Sequence, residues 1–515
     1  MAGFWAVQFG TLWVLSSLFQ ISLDPASALP LYRQLSDSIR QLIVGGSLQA
    51  GDRLPATREL AGRLGLNRTT VSAAYAALEE SGLLHGQVGR GSFVAALNAT
   101  GRQPGSFRKK ALQWDSVFPS QEPSALPGGS PVEISFASSR PPEQSFPLEA
   151  FRRLAEDVAQ SESVAEILQL GSPYGYRPLR RYLLVQSQEA GIARPDDDLL
   201  VTNGCQQALD LLARLLRNSG DAAVVVEDPV YHGLVRVFEG SGCALTPVPV
   251  DGNGIEMASL EKALAGQGTR VVMVTPSFQN PTGVTLPLER RKAVVELVQR
   301  TGAVLVENDI YSELRYEGNS LPTLKELDAT GNTILLRSYS KIAFPGLRVG
   351  WVVAPRPVVA RLAEAKQWAD LHSDHLSQAI LLRFAQSGEL ARHLQRTCRE
   401  GKERLDAVLT ACEKYLPAGS RWTRPKGGMS LWVTLPMPLD AEALLKRARE
   451  WGIDFLPGSY FSARPMHRGS LRLGFGGLTP EAITRGVEIL GAVAEEELAG
   501  RATASASLEP AVALV

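Results

Sequence analysis

The stretch Ser338-Tyr339-Ser340-Lys341-Ile342-Ala343-Phe344-Pro345-Gly346-Leu347-Arg348 decides how the larger part of this chain is read. It joins two apolar runs, Ile334–Leu336 and Val349–Val353, so a lysine and an arginine sit on the connection between two strand candidates. Further strand candidates lie upstream at Ala222–Val226, Val271–Val274 and Ala303–Val306. Most are continuous apolar runs, the pattern of parallel strands buried on both faces. Helical stretches separate them, which argues for an α/β architecture. Ligands of such sheets bind beyond the carboxyl ends of the strands, and polar residues gather there in this sequence.

Working outward, Thr202-Asn203-Gly204-Cys205-Gln206-Gln207 opens the amphipathic helix Ala208–Leu216. A glycine at a helix start lets backbone N–H groups approach a phosphate, and the helix dipole favours the anion. Glu227-Asp228-Pro229-Val230-Tyr231 offers an aromatic ring just past a strand, and Asn280-Pro281-Thr282-Gly283 closes another polar segment. Glu307-Asn308-Asp309-Ile310-Tyr311 puts an acid after the run Ala303–Val306, and Leu471-Arg472-Leu473 carries a late arginine. Each has an ordinary explanation in isolation. Asp309 could cap a helix, Lys341 could be solvated, Tyr231 could belong to the core, and Arg472 could make a surface ion pair.

Taken together and in this order, the clusters resemble the class I/II aminotransferases of pyridoxal-phosphate (PLP) fold type I, over essentially all of residues 134–498. The resemblance implies a mainly parallel central sheet with a smaller C-terminal α+β subdomain, and PLP as cofactor. It implies that Lys341 forms the Schiff base, which needs an amine able to be neutral. Asp309 is expected beside the pyridine nitrogen, where a buried carboxylate favours the protonated ring. Asn280 and Tyr311 would bond the ring hydroxylate and Tyr231 would stack on the ring. The phosphate would sit on Gly204, Cys205 and Gln206, with Ser338 and Arg348 supplying a hydroxyl and a charge. Arg472, with Asn280, would take a substrate or effector carboxylate. Two departures stand out. Leu170 occupies a position where many relatives have a tyrosine that reaches the neighbouring subunit's phosphate, and Cys205 stands where Ser or Ala is common.

The N-terminal part has a different pattern. Leu31, Leu35, Ile39, Leu42 and Ile43 follow Pro30 at helical spacing, and Gly45-Gly46 stops that helix. A short helix is expected from Thr57 to Leu64, with Gly65-Leu66 as the turn. Asn67 is an N-cap for a third helix. Its core face is Val71, Ala74, Tyr75 and Leu78, and its other face carries Arg68, Thr69 and Ser72, as a helix entering a major groove requires. Gly82 ends it, and Leu83–Val94 reads as strand, Gly89-Arg90-Gly91 turn, strand. Residues 30–94 resemble a GntR-superfamily winged helix-turn-helix, on Leu54-Pro55-Ala56-Thr57-Arg58-Glu59-Leu60-Ala61 and Asn67-Arg68-Thr69-Thr70-Val71 in particular. By that resemblance Arg58, Asn67, Arg68, Thr69, Thr70 and, from the wing, Arg90 contact double-stranded DNA. A helical docking domain with solvated arginines is the plainer alternative.

The organisation expected is an N-terminal extension (1–28), a DNA-binding head (29–98), a Gly/Pro/Ser/Gln-rich flexible linker (99–133), the aminotransferase-like domain (134–498) and a disordered tail (499–515). Lys and Arg balance Asp and Glu at 53 each, which excludes a uniformly basic nucleic-acid binder but not a local basic patch. The apolar stretch Phe4–Phe19 has no basic residue before Arg33 and is interrupted by polar residues, so it reads as neither a signal peptide nor a span. The protein is expected to be cytoplasmic, with no membrane association. Cys205, Cys243, Cys398 and Cys412 form no ligand pattern and read as reduced thiols without zinc. His372-Ser373-Asp374-His375 has metal-ligand residue types, but no metal is expected there.

A GntR-type head, a linker and a fold type I domain form the arrangement of MocR-type regulators. The resemblance implies a homodimeric transcription regulator that binds PLP and an amino-compound effector, or PLP itself as signal. Two alternatives remain open at this stage: a working aminotransferase with an accessory DNA-binding head, and a DNA-binding protein whose large domain is a scaffold without cofactor.

Overall fold

The computed structural model describes residues 18, 21–25, 27, 29–87, 91–96, 132–217, 223–266, 270–464 and 466–506. It divides into two compact units, 1–121 and 122–515.

In the first unit three helices, α1 (Leu31–Val44), α2 (Thr57–Leu64) and α3 (Arg68–Glu80), precede an antiparallel pair, β1 (Leu84–Gln87) and β2 (Gly91–Val94). The helices converge on one core in which Leu35, Ile39, Leu60, Val71, Ala74 and Leu78 are buried. Gly65 ends α2 in the left-handed conformation, where glycine carries no Cβ penalty. The side chain of Asn67 then accepts the Thr69 N–H at 3.2 Å and starts α3. Tyr75 ties α3 to the segment before α2 by donating its hydroxyl to the Pro55 carbonyl at 2.9 Å. Leu18, within the expected extension, is buried in the same core.

The second unit is built on an eight-stranded sheet. Its strands are β3 (Asp197–Asn203), β4 (Ala223–Asp228), β5 (Ala244–Asp251), β6 (Gly254–Ile255), β7 (Arg270–Val274), β8 (Val304–Asn308), β9 (Thr333–Ser338) and β10 (Val349–Pro355). Their order is β3-β10-β9-β8-β7-β4-β5-β6. The interior of the sheet is parallel, but β10 runs antiparallel to both β9 and β3. Apolar runs do not encode direction, so this reversal is invisible in the composition of the strands. It returns the start of β10 to the edge where the other strands end. Three strands, β3, β5 and β6, escaped the sequence reading. Of these, β5 contains Pro247 and Pro249, which a near-edge strand tolerates because only the two-residue β6 lies beyond it.

Helices cover both faces. Helix α4 (Gly204–Arg217) packs Leu209, Leu211 and Leu212 against Val224, Met273 and Leu336. The smaller subdomain is a four-stranded antiparallel sheet of β11 (Arg421–Trp422), β12 (Ser430–Thr434), β13 (Leu456–Pro457) and β14 (Ser470–Gly474), in the order β11-β12-β14-β13. It rests on the long helices α5 (Glu389–Tyr415) and α6 (Pro480–Ala506) through Leu405, Val408, Leu471, Ile483 and Val487. Ile134–Ser135 pairs with Ile453–Asp454, which fixes where the chain enters this unit.

Helix α6 reaches into the stretch expected as tail, continuing through Ala499 to Ala506. Alanine, at 499, 502, 504 and 506, is the strongest helix former, and that preference outweighs the glycine and small polar residues among them. Residues 507–515, the linker as far as residue 131, and the apolar stretch apart from Leu18 lie outside the described residues. No helix among the described residues is long and apolar enough to cross a membrane.

Candidate cofactor cavity and DNA-reading helix

The sheet directs its polar termini to one place. Along β7, β8 and β9 one face is apolar, with Met273, Val306 and Leu336 in a shared core. Two residues further along each strand, on the same face by strand alternation, stand Thr275, Asn308 and Ser338, and all three line a cavity of about 470 Å³. The antiparallel β10 brings Arg348 to the same edge, and the smaller subdomain closes it with Arg472, Tyr460 and Phe461.

At the start of α4, Gly204 has φ +73°. A Cβ there would lie 2.3 Å from the Arg348 guanidinium, so the close approach of the two requires glycine. Arg348 donates to the Ser340 hydroxyl at 3.3 Å and to the Pro345 and Asn203 carbonyls at 3.4 Å, and it has no carboxylate partner among the described residues. Ser340, absent from the sequence expectation, lines the cavity beside Ser338, and the two hydroxyls are 2.9 Å apart. Cys205 donates its thiol to the Arg337 carbonyl at 3.2 Å, and burial pushes that thiol up to about 12. Tyr231 lines the cavity with its hydroxyl 3.3 Å from the Gln206 side-chain oxygen.

Lys341 donates to the Ser139 carbonyl at 2.7 Å. Burial, assisted by the charges of Arg472 and Arg348, lowers its amine to about 8. Tyr311 is buried in the wall with the lysine Nζ 5.8 Å from its ring centre, and burial raises its hydroxyl to about 12. Arg472 donates to Asn280 Oδ1 at 3.0 Å and to the Ala137 carbonyl, and its Nε is buried without a partner. Burial lowers its guanidinium to about 10. Four cationic side chains, Arg140, Lys341, Arg348 and Arg472, line the cavity, and among the described residues no carboxylate does.

Asp309 is the expected site residue that the structure does not bring in. Lying one residue beyond Asn308, it turns to the opposite side of the sheet. There its Oδ2 accepts from Arg337 Nη2 at 2.7 Å and Nε at 3.1 Å, and from Ser312 at 2.9 Å. The cavity wall holds Asn308 instead, and the Oδ1 atoms of both Asn308 and Asp309 are buried without a partner. Strand parity from Val304 and Val306 was the signal that separates the two. The His372–His375 segment is spoken for structurally, since Asp374 caps the helix His375–Gln386 by accepting from Leu376 N and Ser377 N. No group of His, Cys, Asp and Glu among the described residues could hold a metal ion.

In the first unit, Arg58, Asn67, Arg68 and Thr69 are exposed and Thr70 is half-buried. Four of these five, all but Arg58, sit at the start of α3. Arg90 lies outside the described residues. Arg53, not among the expected contacts, is exposed against Gly91 at the base of the β1–β2 pair.

These features agree with the comparisons to known proteins. Residues 136–490 match the family of class I and II aminotransferases, and residues 31–94 match the gntR family of bacterial regulatory proteins. The chain is 30% identical to the probable rhizopine catabolism regulatory protein MocR of Rhizobium meliloti, over 91% of this chain and 94% of that protein. It is 35% identical to aromatic-amino-acid aminotransferase 1 of Thermococcus litoralis, over 71% of this chain and 88% of that protein. Among solved structures, a multiple substrate aminotransferase from Thermococcus profundus superposes with a TM-score of 0.72 at 33% identity, covering 75% of this chain and all of that one. LysN, an α-aminoadipate aminotransferase from Thermus thermophilus complexed with N-(5'-phosphopyridoxyl)-L-leucine, gives 0.68 at 34%, again over 75% of this chain. A winged helix-turn-helix and a fold type I aminotransferase domain on one chain define a two-part DNA-binding regulator. Across nearly its whole length, the chain belongs to the MocR-type regulators of the GntR superfamily.

Proposed function

We propose that this regulator binds PLP in the cavity of its large domain and that an amino compound meeting the cofactor there changes operator binding by the head. The residues present fit the group. Gly204 leaves room where a side chain would collide with Arg348, and Asn308 Oδ1, Ser139 Oγ and Arg472 Nε are buried polar atoms without partners. The phosphate is assigned to the N–H groups of Gly204, Cys205 and Gln206, to Ser338 and Ser340, and to Arg348. Lys341 holds the carbonyl carbon, Tyr231 covers the ring, and Asn280 with Tyr311 bonds the ring oxygen. Bound there, the cofactor supplies an aldehyde that captures primary amines. Arg472 takes the effector's carboxylate, which selects amino acids and similar anions. Arg58, Asn67, Arg68, Thr69, Thr70 and Arg90 are assigned to the DNA.

One observation carries the regulatory reading. Lys341 and Arg472, the two groups that change partners on binding, both donate to carbonyls of the same short segment, Ser139 and Ala137. In sequence that segment is where the linker from the head enters the domain. An effector alters DNA affinity only through a difference in its affinity for two arrangements of the protein, and these hydrogen bonds supply such a difference. The protein acts as a homodimer in this reading. Leu168, Leu170, Trp368 and Leu371 are large exposed apolar side chains, and the neighbour of Leu170, Gly171, packs on His375, which supports a second copy covering this face.

The experiment is an anisotropy titration of the full-length protein against a duplex selected from a random-sequence pool. It is run with PLP and a panel of amino acids, beside Lys341→Ala. One amine should shift the wild-type affinity and leave the variant unmoved. Multiple turnover of an amino donor with a keto acid, without any change in DNA affinity, would instead establish the second reading, an aminotransferase with an accessory head. The 35% identity to an aminotransferase favours that alternative.

A further inference from the structure

The side chain in the wall at the end of β8 is an amide. Along this strand Val306 and Asn308 share the cavity face, whereas Glu307 and Asp309 leave it. Glu307 accepts the N–H groups of Leu324 and Lys325 at 2.9 Å each, and the Asp309 charge is engaged by Arg337. Nothing else in the lining replaces the missing acid, because the charged groups of the cavity are Arg140, Lys341, Arg348 and Arg472. Tyr311 and Cys205 are held neutral by burial.

We propose that Asn308 meets the ring nitrogen of the cofactor and holds it unprotonated, so that the domain binds amines and reports them but draws electrons from them weakly. This rests on the reading that the cavity holds PLP, and it deepens that reading by separating capture from turnover. A pyridinium is a buried cation, stable only beside a counter-charge. Asparagine offers none. Its amide can turn the NH2 toward the lone pair of a neutral ring nitrogen, and the unpartnered Oδ1 carries no charge to hold a proton there, whereas a carboxylate would require the proton on the ring. With several cations and no carboxylate around it, the cavity further disfavours a positive ring. It keeps full complementarity to a phosphate and to an effector carboxylate. The arrangement suits a receptor, in which the captured amine must persist long enough to be read, and it handicaps a transaminase, whose bound amine must pass onward quickly.

The test uses full-length protein loaded with PLP labelled with 15N at the ring. The wild-type spectrum should show an unprotonated ring nitrogen near neutral pH, and Asn308→Asp should move the signal to the pyridinium position. Asp309→Asn should leave the signal where it is in the wild type. Affinity for PLP should stay within a few-fold in Asn308→Asp, while single-turnover conversion of an amino acid rises by on the order of tenfold or more. A pyridinium signal in the wild type overturns the proposal by itself, whatever the variants do. A signal that responds to Asp309→Asn rather than to Asn308→Asp overturns it as well. Failure of the wild type to bind labelled PLP at all is a separate outcome that removes the cofactor reading together with this one.

Discussion

Replacing Arg348 by glutamine tests the phosphate cradle most directly. The guanidinium lines the cavity beside Ser340 and over Gly204, and its protein contacts are three hydrogen bonds of 3.3–3.4 Å to neutral oxygens. Those long contacts contribute little to the fold. Residue 348 sits at φ +54°, a strained conformation that glutamine would share, so the unloaded variant should unfold within about 0.5 kcal/mol of the wild type. Toward a phosphate the arithmetic differs. A hydrogen bond between charged partners contributes roughly 1.5–3 kcal/mol, and a guanidinium fork offers two. Taking the low end for each gives about 3 kcal/mol, which at about 1.4 kcal/mol per tenfold is on the order of a hundredfold in Kd. Absorbance titration of the unloaded protein with PLP measures this loss. The same titration with pyridoxal, which lacks the phosphate, supplies the control, and its affinity should be nearly unchanged by the substitution. Equal weakening toward both ligands, or a PLP affinity within threefold of the wild type, would refute the assignment of Arg348 to the phosphate.

Lys341 should capture pyridoxal compounds with a pH midpoint near 8 rather than 10.5, because the neutral amine is the nucleophile and its fraction grows as pH climbs through the lowered value. Stopped-flow absorbance across pH 6–11, about the range that brackets both values, would expose the idea as wrong with a midpoint above 10. Lys325→Met should cost about 3–5 kcal/mol in urea unfolding, since it strands Asp197, whose side chain is only 1% exposed in an ion pair of 3.0 Å. The double variant with Asp197→Leu should recover much of that loss, and no recovery would show that packing rather than charge was at stake. Arg68→Ala should weaken DNA binding across all sequences and lower the salt slope by about one, without altering the melting temperature. An unchanged slope would remove Arg68 from the interface. Asn67→Ala should instead destabilise the head by about 1 kcal/mol through loss of the cap, measured by thermal unfolding.

The head was almost fully legible in the sequence because its determinants are local. Glycines at 45–46, 65 and 82, a cap at Asn67 and a 3.6-residue apolar period specify three helices and a hairpin with little help from elsewhere. The large domain was legible as a class of architecture and as an ordered set of polar clusters. What could not be read depended on long-range pairing: the reversal of β10, the membership of β5 despite its two prolines, and the role of Ser139, more than 200 positions from the lysine it touches. The positions of Asn308, in the cavity wall, and Asp309, paired with Arg337, are a different kind of difference. A carboxylate next to a strand attracts attention by its chemistry, yet the period of two through Val304 and Val306 already places Asn308 on the side of Leu336 and Ser338. Geometry outranks residue type at a strand end.

Ser338, Ser340, Lys341 and Arg348 all belong to one eleven-residue stretch, the last residue of β9 and the ten-residue connection to β10, whose ends are paired by the ladder Ser338↔Gly350 and by the Tyr339 N–H donating to Val349 O at 3.0 Å. The four side chains assigned to one ligand therefore answer to a single local opening. In hydrogen exchange that stretch should exchange as one block, slowed as a whole when ligand is present. The same economy governs inheritance. A one-residue insertion or deletion anywhere in the connection displaces hydroxyls, amine and guanidinium together, so a lineage keeps this site entire or discards it in one step, leaving the scaffold around it standing.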